Sequence, residues 1–383
     1  MEHCDVLIVG GGPAGSTLAW KLRSGGLDAV ILDASTFPRE KVCAGWITPA
    51  VIDLLQIDDK YSREHVFQPI TGFKTSMMGG AEVLTRYDQT ISYGIRRSEF
   101  DHYLLMKTGA RLRLGDTLRS LQRENGYWIV NDDLRTPLVI GAGGHFCPVS
   151  RFIRKGREQN EAVVIAQETE FLMDESQQRD CQVRGDTPEL FFCEDLKGYG
   201  WCIRKGNFLN IGLGREDNRD FSGHMRAFCD FLQERKYIQL NGRANFKGHA
   251  YRLYKGASQN LVDDGVMLVG DAAGLAYPKS GEGIRPAVES AVLAAEVILD
   301  AAGDYRRKRL VEYKFLLAER FGKGSGNPGM VQRSVRRLMG RRLMESSWFS
   351  RHILLDRWFL NSHQPALSKC LLSLKCCTSC SLP

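Results

Sequence analysis

The sequence contains no apolar run near the roughly 18 residues that a helical membrane span needs. The apolar residues after Met1 are broken at once by glycines. They have no basic leader and no small-residue cleavage site after them, so no secretory signal is expected and the chain reads as cytoplasmic. Histidine is sparse, with eight in 383 residues, and no Cys/His pairs stand at zinc-like spacing, so no metal is expected. The eleven cysteines are odd in number and spread along a long chain, which favours reduced thiols over a disulfide framework. The cluster 376-CCTSC-380 has no second ligand pair nearby and reads as a frayed terminus, and the ending Cys380 to Pro383 is a poor prenylation signal. Acid is in mild deficit, giving a net charge of +7. Arg333, Arg336, Arg337, Arg341 and Arg342 stand against Glu345, a face that is usually solvated and less often meets a membrane surface or an anionic substrate. Nucleic acid is not an expected partner.

Glycine is what the chain has in quantity: 39 residues, clustered rather than scattered. In 4-CDVLIVGGGPAG-15, Val6 to Val9 is a continuous apolar run suited to a parallel strand covered on both faces. Gly10, Gly12 and Gly15 then match G-x-G-x-x-G, Pro13 and Ala14 open a helix running to Arg23, and a second strand, Ala29 to Leu32, ends at Asp33. Gly10 permits the tight turn. Gly12 admits a pyrophosphate to the backbone and the positive helix end. Gly15 lets helix and strand pack closely. Asp33 can accept hydrogen bonds from a ribose diol. The glycines alone are a weak signal, and a ligand-free turn is their bland explanation. Strand, helix and closing acid together point to an adenine dinucleotide.

The other end of the chain narrows the choice. Val266 to Val269 leads into 270-GDAAGLAYPKSGEGIRPAVESA-291, a lone carboxylate followed by bare backbone and then a helix. Asp271 could bind a polyol hydroxyl, and a helix opening near Gly283 would aim N–H groups at the far end of a cofactor. FAD has a ribityl chain and a ring that suit both; NAD does not in this geometry.

At this point the residues resemble the FAD-dependent oxidoreductases that include geranylgeranyl reductases, para-hydroxybenzoate-hydroxylase-like monooxygenases and flavin halogenases. Four stretches over residues 1 to 300 carry the resemblance: Gly10 to Asp33; 96-RRSEFDHYLL-105; 138-LVIGAGGHFCPVSR-151, where Gly143 replaces the family's usual acid; and 270-GDAAG-274 with 281-GEGI-284. The geranylgeranyl reductases are the best match within that group. Pro38, Lys41, Cys43 and Gly45 fit their Pro-x-x-Lys-x-Cys-x-Gly segment, and Tyr199, Trp201, Gly212 and Gly214 fit their Tyr-x-Trp-x-Phe-Pro and Gly-x-Gly motif. Ile203-Arg204 stands where that family has Phe-Pro, a departure in the segment that lines the family's substrate cavity. The resemblance implies a cofactor site of Gly10, Gly12, Pro13, Ala14, Gly15, Asp33, Lys41, Cys43, Ala44, Gly45, Arg97, Gly270, Asp271, Gly281, Gly283 and Ile284. It implies a substrate wall of Tyr199 and Trp201, and within 270–291 Pro278 is the residue expected to face the substrate.

The remaining pattern gives an architecture. Trp201 and Ile203 alternate, 205-KGN-207 turns the chain, and Leu209, Ile211 and Leu213 alternate back: a β-hairpin whose apolar face packs on a core or walls a cavity. A helix is expected from Ser98 to about Thr108, and a hairpin around 124-ENG-126. The fold class is α/β: a Rossmann-like FAD domain with a parallel sheet (1–160 and 255–303), an inserted antiparallel substrate domain (161–254, one helix at about 222–236, plus strands within 65–95) and a helical region (304–383). The glycine-rich stretch 322-GKGSGNPG-329 reads as a turn rather than a second nucleotide site.

Flavin would carry the redox chemistry while the protein supplies position and electrostatics. Hydride delivery to an isolated alkene needs a proton source opposite it, and Cys43 is the candidate by family position, its structural alternative being a loop thiol. Lys41 could hold a flavin phosphate or lower the Cys43 pKa, or be a solvated lysine. His145 could act as acid or base, or cap a turn. The favoured expectation is a reductase of C=C bonds in an isoprenoid or other apolar substrate, with NAD(P)H or a reduced electron carrier as donor and peripheral contact with a membrane as a further expectation. The alternatives are a monooxygenase or halogenase acting on an aromatic, the latter with a lysine such as Lys74 or Lys197, and an FAD-binding protein without turnover that works through a partner.

Overall fold

Val6–Val9 and Ala29–Asp33 are short, apolar and buried on both faces, and they pair in parallel at the centre of a six-stranded sheet. The computed structural model describes residues 1–154, 163–217, 219–237, 245–256, 260–322 and 340–367. The six strands run in the order Val262–Asp263, Val266–Leu268, Leu138–Gly141, Val6–Val9, Ala29–Asp33, Arg111–Leu114. All pairings are parallel except at the Val262–Asp263 edge. The crossover helix Pro13–Ser24 begins with proline at its first position, where the missing N–H costs nothing. It packs against the late helix Ile284–Ala301, which is buried nearly all round. Residues from both ends of the chain thus share one core: Leu18, Ile31, Ile140, Leu268 and Ala294 belong to the same cluster.

A second, seven-stranded sheet runs Lys247–Arg252, Val163–Leu172, Phe208–Arg215, Gly198–Lys205, Glu189–Phe192, Gly72–Met77, Glu82–Arg86. The expected hairpin is there, with Trp201 opposite Gly212. The sheet is mixed rather than antiparallel throughout: Glu189–Phe192 runs parallel to Gly72–Met77, a pairing that no hairpin could make and that strands so far apart in the chain can. Besides Phe221–Glu234, this lobe carries the short helix Glu175–Asp180, held by a capping box between Asp174 and Gln177. Past residue 304 the described chain is helical, as Arg307–Leu310, Glu312–Phe321 and the π-helical segment Ser350–Phe359. The stretch 323–329, Leu338, and Cys376, Cys377 and Cys380 lie outside the described residues.

Candidate functional site

The two lobes meet over a cleft of about 670 Å³. Its dinucleotide end is built as the glycine spacing demands. Gly10 has φ +116, and a Cβ there would stand 2.5 Å from the Ala142 backbone. A Cβ on Gly15 would stand 1.8 Å from the Gly10 carbonyl oxygen. A Cβ on Gly12 would meet no protein atom nearer than an Arg39 guanidinium nitrogen at 3.4 Å. Gly10 and Gly15 are therefore bare so that protein can pack on protein, whereas Gly12 leaves room on the cleft side, beside a cation and the uncapped start of the Pro13–Ser24 helix. Asp33 accepts the Gly11 N–H (2.7 Å) and the Ser35 N–H (2.8 Å), one on each carboxylate oxygen. It fixes the turn as well as lining the cleft, and each oxygen keeps a lone pair for a diol. His145 lines the same end, beside the turn where Ala142 abuts Gly10, with its ring 4.7 Å from that of Phe146.

The far end comes from 270–287. Asp271 sits on a 3-10 turn, Gly270–Ala273, directly after the parallel strand, and faces the cleft with Gly281, Glu282, Gly283 and Ile284. Gly270 is buried behind them against Ala14 and Ala287, so its part is to join the two helices. The Asp271 carboxyl is held below its ordinary value: burial pulls it upward, but the facing His249, Lys41 and Arg97 outweigh that. Burial pushes the Glu282 carboxyl up to about 7.

Between the two ends the loop 39–45 crosses the cleft. Lys41 Nζ lies 3.0 and 3.1 Å from the two ring nitrogens of His249, whose Nε2 is 3.8 Å from Asp271. A position equidistant from both nitrogens is a close contact rather than a lone-pair-aligned hydrogen bond. Among the described residues no carboxylate stands within salt-bridge range of Lys41, and burial, then the neighbouring Arg97, lower its pKa to about 8. Burial likewise lowers His249, against the pull of Asp271. Arg97 is buried and clasped by both oxygens of Asp101 at 2.8 Å, so it acts as a fixed positive charge behind Cys43. Cys43 is partly exposed, and its Sγ accepts the Gly45 N–H at 3.4 Å. Its neighbours include Lys41, Arg97, Tyr199 and Tyr251.

The side of the cleft under the seven-stranded sheet is aromatic: Trp46, Tyr199, Trp201 and Tyr251. The Tyr199 hydroxyl donates to the Ser280 carbonyl (2.5 Å), pinning wall to far end. The Trp201 indole donates to Asn210 Oδ1 (2.7 Å), and Asn210 Nδ2 reaches the Cys43 carbonyl (3.3 Å) and Glu170 (3.2 Å). Glu170 is paired in turn with the buried Lys205 (2.7 Å) and with Arg96 (3.2 Å). The Cys43 loop is thereby hydrogen-bonded to the sheet that walls the cleft.

Most residues expected from the sequence line this one cleft: Gly10, Gly12, Pro13, Ala14, Asp33, Lys41, Cys43, Ala44, Gly45, Arg97, His145, Tyr199, Trp201, Asp271, Gly281, Gly283 and Ile284. Pro278 does not. It is exposed, and the buried Ser280 occupies the place expected for it, because the Tyr277 N–H and carbonyl are tied back to Glu282 and Gly281. Gly15 and Gly270 serve packing behind the cleft. Lys74 pairs with Glu82 and Glu189, and Lys197 with Asp217; neither lines the cleft. His249, Tyr251 and Asn210 were not singled out, nor was Glu282 although it stands within 281-GEGI-284; only a strand register that sets His249 opposite Ala166 could have placed the histidine.

The fit to FAD is complete enough to test: a bare glycine facing a cation at one end, a carboxylate and a helix start at the other, and room between. Comparison with known proteins agrees. A family model described as FAD binding domain matches residues 3–195. The menaquinone reductase of Mycobacterium tuberculosis is 29% identical over 349 residues, covering 84% of this chain and 82% of that protein. Digeranylgeranylglycerophospholipid reductase 3 of Methanosphaera stadtmanae is 27% identical over 352 residues, covering 84% of each. Among solved structures, a geranylgeranyl bacteriochlorophyll reductase-like protein of Thermoplasma acidophilum superposes with a TM-score of 0.72 at 23% identity, covering 90% of this chain and 88% of that one.

Proposed function

The chain belongs to the FAD binding domain family and is an FAD-dependent oxidoreductase, and from that premise we propose that it reduces C=C bonds of an isoprenoid or similarly apolar substrate. One observation carries the reading: the cofactor cleft is walled by Trp46, Tyr199, Trp201 and Tyr251, an apolar surface that continues directly from the cofactor's far end. The relatives named as reductases of menaquinone and of digeranylgeranylglycerophospholipid, both isoprenoid compounds, support it.

FAD, when bound and reduced by NAD(P)H or a reduced carrier, would supply the hydride. The chain's residues do the rest. Gly12, Arg39 and the Pro13–Ser24 helix start hold the pyrophosphate, and Asp33 a ribose. Asp271 holds the linker hydroxyls, and Lys41 with Arg97 offers positive charge to the cofactor. The aromatic wall excludes water and orients an isoprenoid chain, and the Cys43 thiol supplies the proton to the carbon that does not receive hydride, with the Asn210 bond to its carbonyl holding it in place. His145, beside the glycine turn at the nucleotide end of the cleft, is in this reading a neighbour of the cofactor rather than the acid or base first expected of it.

The test is anaerobic reduction with dithionite followed by mixing with a prenylated quinone, a prenyl diphosphate or an unsaturated prenyl lipid. Return of the oxidised flavin spectrum with a saturated product is expected. If every alkene leaves the flavin reduced while oxygen with an aromatic substrate gives hydroxylated or halogenated product, the reading fails. Cys43→Ala should slow the single-turnover step at least about 100-fold, the scale of a lost general acid; an unchanged rate removes the thiol from the mechanism.

A further inference from the structure

The described part of the C-terminal region has two unlike faces. Inward, Leu354, Leu355, Phe359 and Leu360 are buried in the cluster that contains Trp46 and Trp201. The Phe359 ring lies 5.2 Å from Tyr199 and 5.9 Å from Trp46, so this segment backs the aromatic wall of the cleft. It is pinned there by Tyr87, whose hydroxyl donates to Asp356 (2.6 Å), and by the buried Thr75–Ser350 contact (3.4 Å).

Outward, Trp348 is 65% exposed and Leu343 is 41% exposed. Arg341, Arg342 and Arg351 are exposed around them. Among the described residues neither Arg341 nor Arg342 makes an ion pair. Arg351 lies over the Tyr87 ring (4.8 Å) and donates to the Arg86 carbonyl, which brings it to the edge strand Glu82–Arg86. Ser347–Phe349 packs on that same strand, where Leu84 is 51% exposed and Arg86 is exposed. Glu345 is the one exposed acid of the segment; Asp356 is engaged by Tyr87 and by His352 at 3.5 Å.

We propose that this face, centred on Trp348 and Leu343 and ringed by Arg341, Arg342, Arg351 and Arg86, docks on an anionic lipid bilayer. An indole and a leucine on a helical surface, with Leu84 beside them on the edge strand, stand amid exposed guanidinium groups and match an interface whose acyl boundary takes the apolar side chains and whose phosphates take the charges. Arginine suits phosphate through its planar fork. The face is the outer side of the cleft's aromatic wall, so docking sets the wall against the phase in which an apolar lipid substrate dissolves. The inference stands on exposure and charge alone and does not need the redox reading; a failed reductase assay leaves it intact, and the converse holds.

The full chain is sedimented with vesicles of phosphatidylcholine alone and of phosphatidylcholine mixed with phosphatidylglycerol. Binding to the anionic vesicles is expected, with little to the neutral ones and with a fall as salt is raised. Replacing Arg341 and Arg342 together by alanine should weaken partitioning about 25-fold, at about fivefold per arginine. Trp348→Ala should weaken it as well, and the blue shift of tryptophan emission on vesicle binding should shrink in that variant. All three positions are exposed, so unchanged FAD content and Tm serve as the folding control. Equal binding to both vesicle types, or arginine variants that bind as the parent does, overturns the proposal. So does a Trp348-dependent dimer in size-exclusion runs without vesicle binding, which would make the face a contact between copies.

Discussion

Three glycines within six residues answer to different constraints, and substitution separates them. A Cβ on Gly10 or Gly15 runs into backbone at 2.5 and 1.8 Å, which no rotamer can relieve. Gly10→Ala and Gly15→Ala should each cost about 2 kcal/mol or more in stability, seen as a fall in Tm of the cofactor-free protein. A Cβ on Gly12 has only the end of the flexible Arg39 side chain at 3.4 Å. Gly12→Ala should therefore leave the Tm of cofactor-free protein within about 1 kcal/mol of the parent while FAD affinity falls at least about tenfold, measured by flavin fluorescence. If Gly12→Ala binds FAD normally, the pyrophosphate does not lie against Gly12. Lys41 offers a second test at this scale. Its pKa is lowered from 10.5 to about 8. Between those values the unfolded chain holds a proton that the folded chain has released, so the stability of cofactor-free protein should rise with pH across that window. FAD affinity should move the other way, falling as pH rises through about 8 because the anion loses its cation. The groups facing Lys41 are Arg39, Cys43, Arg97, His249 and Asp271, so Lys41→Met should flatten both slopes. A flat FAD titration in the parent chain would exclude Lys41 as an anion ligand.

At the scale of elements, the hairpin Gly198–Lys205 and Phe208–Arg215 shows how far pattern reaches. Alternation placed its strands and its turn correctly, although both strands are buried on both faces: successive side chains point to opposite faces, and Trp201 with Ile203, like Leu209 with Ile211 and Leu213, keeps to one face of its strand. Alternation could not show that Trp201 turns its indole to Asn210, or that Asn210 spans to the Cys43 loop 167 residues away, because a polar contact between distant strands leaves no period in the sequence. The same limit hid His249, which reaches Lys41 only through the register of Lys247–Arg252 on Val163–Leu172. Glycine motifs were legible because backbone geometry is local; Lys41, Arg97 and Asp271 came through the family resemblance, whereas His249, which completes the charged centre from a fourth segment, stands in no motif. Pro278 marks the opposite error, a residue expected to face the substrate from its place in the 270–291 stretch that its own turn holds outward. Trp201 is 5% exposed and donates one buried hydrogen bond. Trp201→Ala should cost about 3–5 kcal/mol through the void it leaves, whereas Trp201→Phe should cost about 1–3 kcal/mol, most of it from the stranded Asn210 oxygen. Equal losses in denaturant unfolding would mean that the void adds nothing and that the lost indole N–H bond accounts for both.

At the scale of the whole molecule, the cofactor site is a joint between chain ends. Val266–Leu268 completes the parallel sheet beside Leu138–Gly141, and Ile284–Ala301 lies against Pro13–Ser24. A ligand spanning Gly12 and Ile284 therefore touches a helix from each end of the chain at once. Binding restricted to the folded state adds about 2.7 kcal/mol when free ligand is 100-fold above Kd. That gain should appear as one transition shifted upward, because the core residues Leu18 and Ala294 on the two helices are in one cluster and cannot melt separately. ADP, which fills only the dinucleotide end, should bind and stabilise less than FAD. Asp271→Ala should narrow the gap between the two, since it removes a partner that only the longer ligand reaches. The readout is a pair of Tm curves against ligand concentration for parent and variant. A gap that survives the substitution would mean that Asp271 serves His249 alone, and that the far end of the cleft is held by backbone N–H groups from 281 to 284 without it.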